Sequence, residues 1–531
     1  MKPTAMNNFS TTQTTRKHVA VSNGGVVASQ HKLAALAGVS VLEAGGDAID
    51  AAVATSFALG VVEPWMSGPA GGGMMTIWRE SEQVSHTVQF GMRSPAGLNP
   101  ANYPLEPQRV ASDLFPWVSV KDDRNILGAT AIAVPGTVAG MELAHQRFGR
   151  MPWRDLLQPA ISRAREGMLV DWYASLLIAS ATRNLARDPD AAAMFLIDGQ
   201  WPNIGNWTAL SSVRLDQSRM AATLQRLAEA GPRDFYQGDI AQALASDIQK
   251  KGGCVTAADL SAYHARLTPT VDVPYRGGIV RAPAGLSAGA DLVRCLAQME
   301  QGFTPAAAPN ADSYRETARA LSKAYELRLT QGGDHEAPSI PSCTTHFSVV
   351  DRQGNMCSVT QTLLSIFGSH VLSPSTGLMM NNGIMWFDPE PGRPNSLAPD
   401  KACLMNVCPL IGEKGDRRFA IGASGGRKIM AAMTNLTSFM LDFDMSLEAA
   451  FHQPRIDYSG GGTIVADESL SAAVINALEA VHPTVTAKLG IFPYSFGVPA
   501  GVMRQAERNM GCTEIMTPWG DAIHERGPIE G

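Results

Sequence analysis

The chain has 531 residues, a formal net charge of −6, 45% hydrophobic residues and 17% charged residues. This length exceeds what one hydrophobic core usually organises, so we expect two domains or one large layered body. The acidic balance argues against a nucleic-acid partner, because binding phosphates requires a basic face.

The N-terminal residues are polar and lack the apolar segment of a secretory signal. A run of roughly 18 apolar residues, the minimum for a membrane span, occurs nowhere in the sequence. The seven cysteines are scattered without a CxxC pair, and Cys403 and Cys408 are the closest two. This pattern is typical of reduced thiols in the cytoplasm. We therefore predict a cytoplasmic protein without a membrane partner, a metal or another cofactor.

Hydrophobic periodicity and Gly/Pro punctuation predict a helix-rich first part after a disordered segment at residues 1–17. The predicted elements are, in chain order, a strand at 19–22, helices at 31–44 and 48–61, strands at 74–78 and 84–90, helices at 136–147, 153–165, 172–187, 219–230, 239–250 and 257–263, a strand at 270–280, and helices at 288–299 and 311–328.

A glycine cluster at Gly68 and Gly71–Gly73 follows the second helix. We interpret it as a tight turn packed against a neighbouring backbone. The alternative, a phosphate-binding loop, lacks the Gly-Lys-Ser/Thr ending that such a loop requires.

The segment 332–343 is polar, contains two prolines and two glycines, and ends at Thr344. It is predicted to be an exposed linker, where a chain tolerates cleavage. Apolar runs at 344–350 and 356–362 flank the turn residues 351–355, which predicts a β-hairpin.

Cleavage before Thr344 would give that threonine both a hydroxyl nucleophile and a free α-amine that can act as its base. Taken alone, a threonine at the start of a strand is more often only a good strand former. Further along, Gly425 and Gly426 precede a helix predicted at 427–441, and a last helix is predicted at 470–481. The two glycines could supply backbone N–H groups to an oxyanion or form a plain strand-to-helix turn.

From about residue 18 onward the chain resembles the γ-glutamyltransferase family of N-terminal-nucleophile hydrolases. The resemblance is carried by ALAGVSVLEAGGDAIDAAVATSFALGVVEP at 35–64 with GPAGGGM after it, TTHFSVVDRQGNMCSVTQT at 344–362, FGS at 367–369, GLMMNN at 377–382 and GASGGRKI at 422–429. It implies an α+β fold, the four-layer αββα sandwich of these hydrolases, with additional helices in the N-terminal part.

The resemblance also implies a precursor that cleaves itself between Cys343 and Thr344. The products would be a large subunit, 1–343, and a small subunit, 344–531, intertwined in one body. A homodimer of such heterodimers is compatible with this organisation. Thr344 would be the nucleophile, Thr362 would support it by hydrogen bonding, and Gly425 and Gly426 would stabilise the oxyanion.

The chain departs from the family where the substrate would bind. Leu364 stands at the position of a family asparagine, Gly383 and Trp386 replace a glutamine and an aspartate, and Met405 and Asn406 align with a serine pair. A zwitterionic γ-glutamyl group would lack partners among such residues.

The arginine that binds the substrate carboxylate in the family falls on Gly91, and an arginine follows two residues later, at Arg93. Residues two apart on a strand share a face, so Arg93 could bind a substrate carboxylate. A surface arginine paired with a nearby acid is the alternative.

These features predict a self-processing amidohydrolase with an N-terminal threonine. It would cleave an amide bond of a small, carboxylate-bearing substrate through an acyl-enzyme. The departures make it most similar to the cytoplasmic amidohydrolases of the family, such as oxamate amidohydrolase, with cephalosporin-acylase-like members as another option. A γ-glutamyltransferase or γ-glutamyl hydrolase with an altered pocket, acting on glutathione-type substrates, is the alternative enzyme. A non-catalytic member that serves as a binding or scaffold protein is the alternative outside enzymes.

Overall fold

The computed structural model describes residues 15–110, 117–200, 213–331 and 343–526. Most of the segment predicted to be disordered, residues 1–14, and most of the predicted linker, residues 332–342, lie outside the described residues.

The strands are short and lie in both halves of the chain. In chain order they are β1 Ala20–Ser22, β2 Val26–Ser29, β3 Gly72–Arg79, β4 Val84–Phe90, β5 Leu105–Val110, β6 Val118–Val120, β7 Met168–Leu169, β8 Arg214–Leu215, β9 Arg266–Pro269, β10 Val271–Tyr275, β11 Gly278–Ala282, β12 Cys343–Val350, β13 Met356–Leu364, β14 Leu372–Ser373, β15 Leu378–Met379, β16 Leu410–Lys414, β17 Arg417–Ser424, β18 Ile456–Asp457, β19 Ile464–Asp467, β20 Thr484–Ala487, β21 Val498–Gln505, β22 Arg508–Thr513 and β23 Asp521–His524.

The helices are concentrated in the first part of the chain. In chain order they are α1 Lys32–Glu43, α2 Ala48–Val62, α3 Thr137–Phe148, α4 Trp153–Leu156, α5 Gln158–Glu166, α6 Trp172–Leu185, α7 Pro189–Phe195, α8 Ser218–Ala230, α9 Asp234–Gln237, α10 Asp239–Lys250, α11 Ala257–Ser261, α12 Gly289–Gly302, α13 Ala311–Gln331, α14 Lys428–Leu441, α15 Leu447–His452 and α16 Ala472–Glu479.

Two seven-stranded sheets form the centre of the molecule. The first has the order β1-β22-β21-β17-β16-β11-β10, and the second has the order β23-β2-β12-β13-β3-β4-β9. Strand β12 of the second sheet packs across β17 and β21 of the first, so the sheets lie face to face. Because both sheets mix strands from before and after residue 343, the two predicted subunits share one body.

Side-chain alternation along the strands separates the layers. Val27 and Val349 pack into the hydrophobic cluster that contains α1 and α2. Their neighbours Val26 and Val350 point the other way and pack against Ala500 of the facing sheet. A separate cluster joins the first sheet to α12, α13 and α14. The order of layers is therefore helix, sheet, sheet, helix, which confirms the predicted αββα sandwich.

Helix α2 is buried along its whole length, as its apolar sequence predicts. Asp47 caps it: its carboxylate accepts hydrogen bonds from the backbone N–H groups of Ile49 and Asp50, at 2.9 and 3.1 Å. The Asp50 carboxylate in turn accepts from the Asp47 N–H at 3.1 Å, which completes a capping box. The helix ends at Glu63, beside the strand that begins with Cys343 and Thr344.

Two element predictions were wrong in detail. The helix predicted at 153–165 is divided into α4 and α5, because Pro159 lies in the first turn of α5 and cannot continue an earlier helix. The strand predicted at 270–280 is the hairpin β10–β11, which turns at Arg276 and Gly277 with φ of +50° and +75°. Short elements that the patterns missed include β2, β5, β6, β7, β8, β9, α7, α9 and α15.

Candidate active site

Thr344 is the second residue of β12 and is completely buried. Cys343 pairs with Leu364 of β13 and Thr345 pairs with Gln361, so β13 carries one extra residue here and the ladder is bulged. Alternation along β12 places Thr344 on the face of His346, which is turned toward the other sheet.

His346 is not suited to serve as a base for this threonine. Its ring nitrogens Nδ1 and Nε2 lie 2.9 Å from the Thr360 and Ser348 hydroxyls. Burial lowers the pKa of His346 to about 3, so the ring is neutral. The ring also fills the space where a side chain at Gly422 would begin, 2.3 Å from Cε1. We conclude that His346 packs the two sheets together.

Gly425 and Gly426 connect β17 to α14 and lie on the sheet that faces β12. Their φ angles of +115° and +65° belong to a region that favours glycine. At Gly425, a Cβ would also lie 3.1 Å from the Cα of Gly497. The pair therefore forms a left-handed turn directly before a helix N-terminus, where backbone N–H groups are available for an anion.

Thr362 lies on β13, opposite Gly72 of β3. Its hydroxyl oxygen accepts a hydrogen bond from the Leu364 N–H at 2.7 Å. Leu364 has φ of +90°, which is unusual for a residue other than glycine. Thr362 thus stabilises the turn of the chain opposite Cys343.

The glycine cluster before β3 has the packing role predicted for it. A Cβ at Gly71 would lie 2.3 Å from the Thr362 carbonyl oxygen, and one at Gly73 would lie 2.2 Å from that of Thr360. Only glycine lets these backbones approach so closely, and the approach holds β13 close to β3.

The residues predicted to bind substrate do not all lie together. Leu364, Trp386 and Met405 belong to one buried apolar cluster with Met92. Gly383 begins the short 3-10 helix Gly383–Trp386 beside this cluster. These residues form an apolar wall next to the start of β12, because Leu364 is the partner of Cys343.

The Met405 side chain fills the volume next to the Cα of Gly91. A Cβ at Gly91 would lie 2.9 Å from the Met405 Cε and 3.3 Å from its sulfur. The methionine therefore occupies the room that a long side chain at position 91 would need.

Arg93 lies apart from this wall. Its guanidinium donates hydrogen bonds to Asp400, with 2.9 Å from Nη2 to Oδ1 and 2.6 Å from Nη2 to the carbonyl oxygen. It lines a cavity of about 340 Å³ together with Asp259 and Tyr263. Thr344 and Thr362 do not line that cavity. The alternative interpretation, an arginine paired with a nearby acid, describes the arrangement of Arg93.

The side chain of Asn406 is hydrogen-bonded to a buried ion pair. Arg328 pairs with Asp291 and donates to the Asn406 Oδ1 at 2.7 Å. Within the part of the chain that the structure describes, the buried Nδ2 of Asn406 has no hydrogen-bond partner. An unpaired buried donor of this kind is a ready contact for a substrate oxygen.

Four polar residues that sequence reasoning missed lie beside the predicted nucleophile. The Thr345 hydroxyl lies 3.0 Å from Oε2 of Glu63 and 3.2 Å from Oε1 of Gln30. The Gln30 Nε2 donates to the Ser424 hydroxyl at 2.7 Å. Burial raises the pKa of Glu63 to about 8, against the smaller opposing effect of the Thr345 hydrogen bond. An acid at the end of an otherwise apolar helix was the one signal that could have identified Glu63.

Over residues 15–110, 117–200, 213–331 and 343–526, no group of three His, Cys, Asp or Glu side chains could hold a metal ion. None of the six described cysteines forms a disulfide. In the same ranges, no helix combines the length and the apolar character needed to cross a bilayer.

The chain is similar to known proteins in sequence and in fold. The family described as Gamma-glutamyltranspeptidase matches residues 34–344 and 341–518. The Acylase ACY 1 proenzyme of Pseudomonas sp. (strain V22) is 33% identical over 503 residues, which cover 88% of each chain. The Glutathione hydrolase proenzyme of Bacillus subtilis (strain 168) is 28% identical over 495 residues, covering 83% of this chain and 81% of that relative.

Among solved structures, the cephalosporin acylase from Bacillus halodurans superimposes with a TM-score of 0.84. The match covers 99% of this chain and 100% of that one at 23% identity, so it bears on the fold.

Proposed function

The chain belongs to the gamma-glutamyltranspeptidase family, and within that family we propose that it is a self-processing amidohydrolase whose nucleophile is Thr344. The observation that carries the proposal is the position of Thr344. It is the second residue of the hairpin β12–β13 and lies on the face turned toward β17, the strand that directly precedes Gly425 and Gly426. Its relatives are acylases and glutathione hydrolases, which supports amide cleavage.

In the first proposed step, the Thr344 hydroxyl attacks the carbonyl carbon of Cys343. The peptide C–N bond breaks, an ester forms, and the nitrogen becomes the free α-amine of Thr344. Water then hydrolyses the ester and restores the hydroxyl. The products are the subunits 1–343 and 344–531, which remain together because each of the two sheets contains strands from both of them.

In turnover, the α-amine takes the proton of the Thr344 hydroxyl as its oxygen attacks the substrate amide. The N–H groups of Gly425 and Gly426 stabilise the oxyanion, a contribution of roughly 3–4 kcal/mol per donor. The leaving amine departs with the proton, and water releases the acid from the acyl-enzyme.

The substrate that we propose is a small amide whose acyl group lies against the apolar wall of Leu364, Trp386 and Met405. A carboxylate on the substrate remains part of the proposal, and to bind Arg93 it would have to displace Asp400. Gly91 and Met405 offer no cation to a γ-glutamyl group, which favours this function over a γ-glutamyltransferase.

The experiment is a denaturing gel of purified protein combined with an amide panel. We expect two bands near two-thirds and one-third of the 56.5 kDa mass, and a single uncleaved band for Thr344→Ala. The panel pairs small carboxamides with and without a carboxylate and includes a γ-glutamyl anilide. An uncleaved wild-type chain with full activity would refute the proposal, and efficient turnover of the anilide would favour the transferase instead.

A further inference from the structure

The described residues contain a continuous line of hydrogen-bonded polar side chains beside the predicted nucleophile. It runs from Glu63 through Thr345 and Gln30 to Ser424. It reaches both halves of the proposed site, because Thr345 follows Thr344 and Ser424 precedes Gly425. We propose that protonated Glu63 is a positioning residue that, through this line, holds Thr344 and the glycine turn in their working arrangement. This inference rests on the function proposed above.

The hydrogen bonds of Gln30 define the direction of the line. Its Nε2 lies 2.7 Å from the Val498 carbonyl oxygen and 2.7 Å from the Ser424 hydroxyl. A carbonyl oxygen can only accept, so the nitrogen of the amide must face Val498. The opposite atom, Oε1, is therefore an acceptor facing Thr345.

Thr345 then has one proton for two oxygen neighbours. If Glu63 were ionised, both neighbours would be acceptors, and one of the two contacts would lack a proton. If Glu63 carries its proton, its O–H donates to the Thr345 oxygen, and the Thr345 O–H donates to Gln30. In that state every contact in the line contains one proton.

The surroundings of Glu63 favour this protonated form. Glu63 is 4% exposed, and among the described residues no Lys, Arg or His forms an ion pair with it. Tyr494 is the titratable residue whose pKa responds to Glu63, and burial raises the pKa of that phenol as well. The Lys428 ammonium donates to the Tyr494 carbonyl oxygen at 2.5 Å. Burial without a compensating cation raises the pKa of Glu63 to about 8.

Loss of the Glu63 proton should therefore disturb the site at alkaline pH. The carboxylate would take the Thr345 hydroxyl proton as its hydrogen bond, and Gln30 would lose its donor. We expect kcat to fall on the alkaline side with an apparent pKa near 8, toward the lower level of Thr345→Val. KM should stay within about twofold, because no residue of the line is expected to contact substrate.

The test compares pH profiles of kcat for wild type, Glu63→Gln and Thr345→Val. A glutamine at 63 keeps a donor toward Thr345 and cannot ionise, so the alkaline fall should disappear while the acid limb, from the Thr344 amine, remains. Thr345→Ser should restore the activity lost in Thr345→Val. Glu142→Gln is the matched control, because Glu142 is also buried but faces Arg233 and Gln146.

Infrared difference spectra between pH 6 and 9.5 give a readout that needs no turnover. A protonated carboxyl band should be lost on going to alkaline pH in wild type and be absent in Glu63→Gln. The inference is overturned if the band is unchanged by Glu63→Gln, or if Glu63→Gln keeps the alkaline fall. Activity that survives Thr344→Ala would overturn the proposed function itself, which is a different result.

Discussion

The buried carboxyl of Glu63 predicts a specific pH dependence of stability. Its pKa rises from an ordinary 4.5 to about 8 because the folded chain removes it from water. Between these values the unfolded chain has released the proton and the folded chain still holds it. Since the folded state binds more protons, the free energy of unfolding falls as the pH rises. The contribution is fully present below pH 4.5 and is lost as the pH passes 8.

The size of the effect follows from the same shift. Each pH unit inside the window changes the free energy of unfolding by about 1.4 kcal/mol, so the change from pH 5 to pH 7 is about 3 kcal/mol. Glu63→Gln removes this proton from both states. The difference in unfolding free energy, wild type minus Glu63→Gln, should therefore decrease by about 3 kcal/mol over that interval.

Urea unfolding followed by tryptophan fluorescence, at pH 5, 6, 7 and 8, measures this difference. Thr344→Ala serves as the common background, so that the unfolding chain is one piece. Glu479→Gln, which removes an exposed glutamate on α16, is the surface control. A wild-type minus Glu63→Gln difference that stays constant from pH 5 to 8 would show that Glu63 titrates as an ordinary surface acid, and would refute the reasoning.

Three further predictions concern catalysis and specificity. Gly425→Ala should lower kcat by about 10²- to 10³-fold in initial-rate assays with little change in KM, because alanine is disfavoured at φ of +115° and the resulting shift of the backbone would displace an oxyanion donor. A kcat within twofold of wild type would contradict this. Thr362→Val should slow self-cleavage on a timed gel by about tenfold, because the Leu364 N–H loses its acceptor, whereas Thr362→Ser should cleave at the wild-type rate. Equal rates for both variants would argue against a role for the hydrogen bond between Leu364 and Thr362. Gly91→Arg combined with Met405→Ser should raise kcat/KM for a γ-glutamyl anilide by about 10- to 100-fold, because the new arginine would make a charge-assisted contact to the anilide's carboxylate. Gly91→Arg alone should give no such gain, and no gain in the double variant would place the carboxylate site elsewhere.

The sequence predicted the hairpin β12–β13 well, because the information is local. The turn residues between Asp351 and Asn355 and the two flanking apolar runs are contiguous, and the structure places β12 and β13 there. Strand β2 was missed because it has four residues, all of them buried, and shows no alternation. Its existence depends on partners such as Phe347, more than 300 positions away, which pairs with Ser29.

In the candidate site, too, local motifs could be predicted and contacts between distant parts of the sequence could not. Thr344, Thr362 and the glycine pair lie in recognisable motifs, whereas Gln30 and Glu63 end a strand and a helix in ordinary-looking segments. Their meaning appears only when folding brings them to Thr345, across 315 and 282 positions of sequence. The surroundings of Arg93 depend on long-range information in the same way. Spacing along a strand predicts which face a side chain occupies, but not the acid, here Asp400, that the fold brings to it.

The departures at positions 91 and 405 are best understood as one structural change. An arginine at 91 would need the volume that the Met405 side chain fills, since a Cβ there already lies 2.9 Å from the methionine Cε. Inserting only the larger residue would overpack a buried cluster, at a cost of roughly 1–3 kcal/mol. Replacing only Met405 by serine would leave a cavity against Leu364 and Trp386. The contact between the Met405 side chain and the space at Gly91 therefore couples the two positions, and we expect Gly91→Arg and Met405→Ser to have non-additive effects on the binding of a substrate carboxylate.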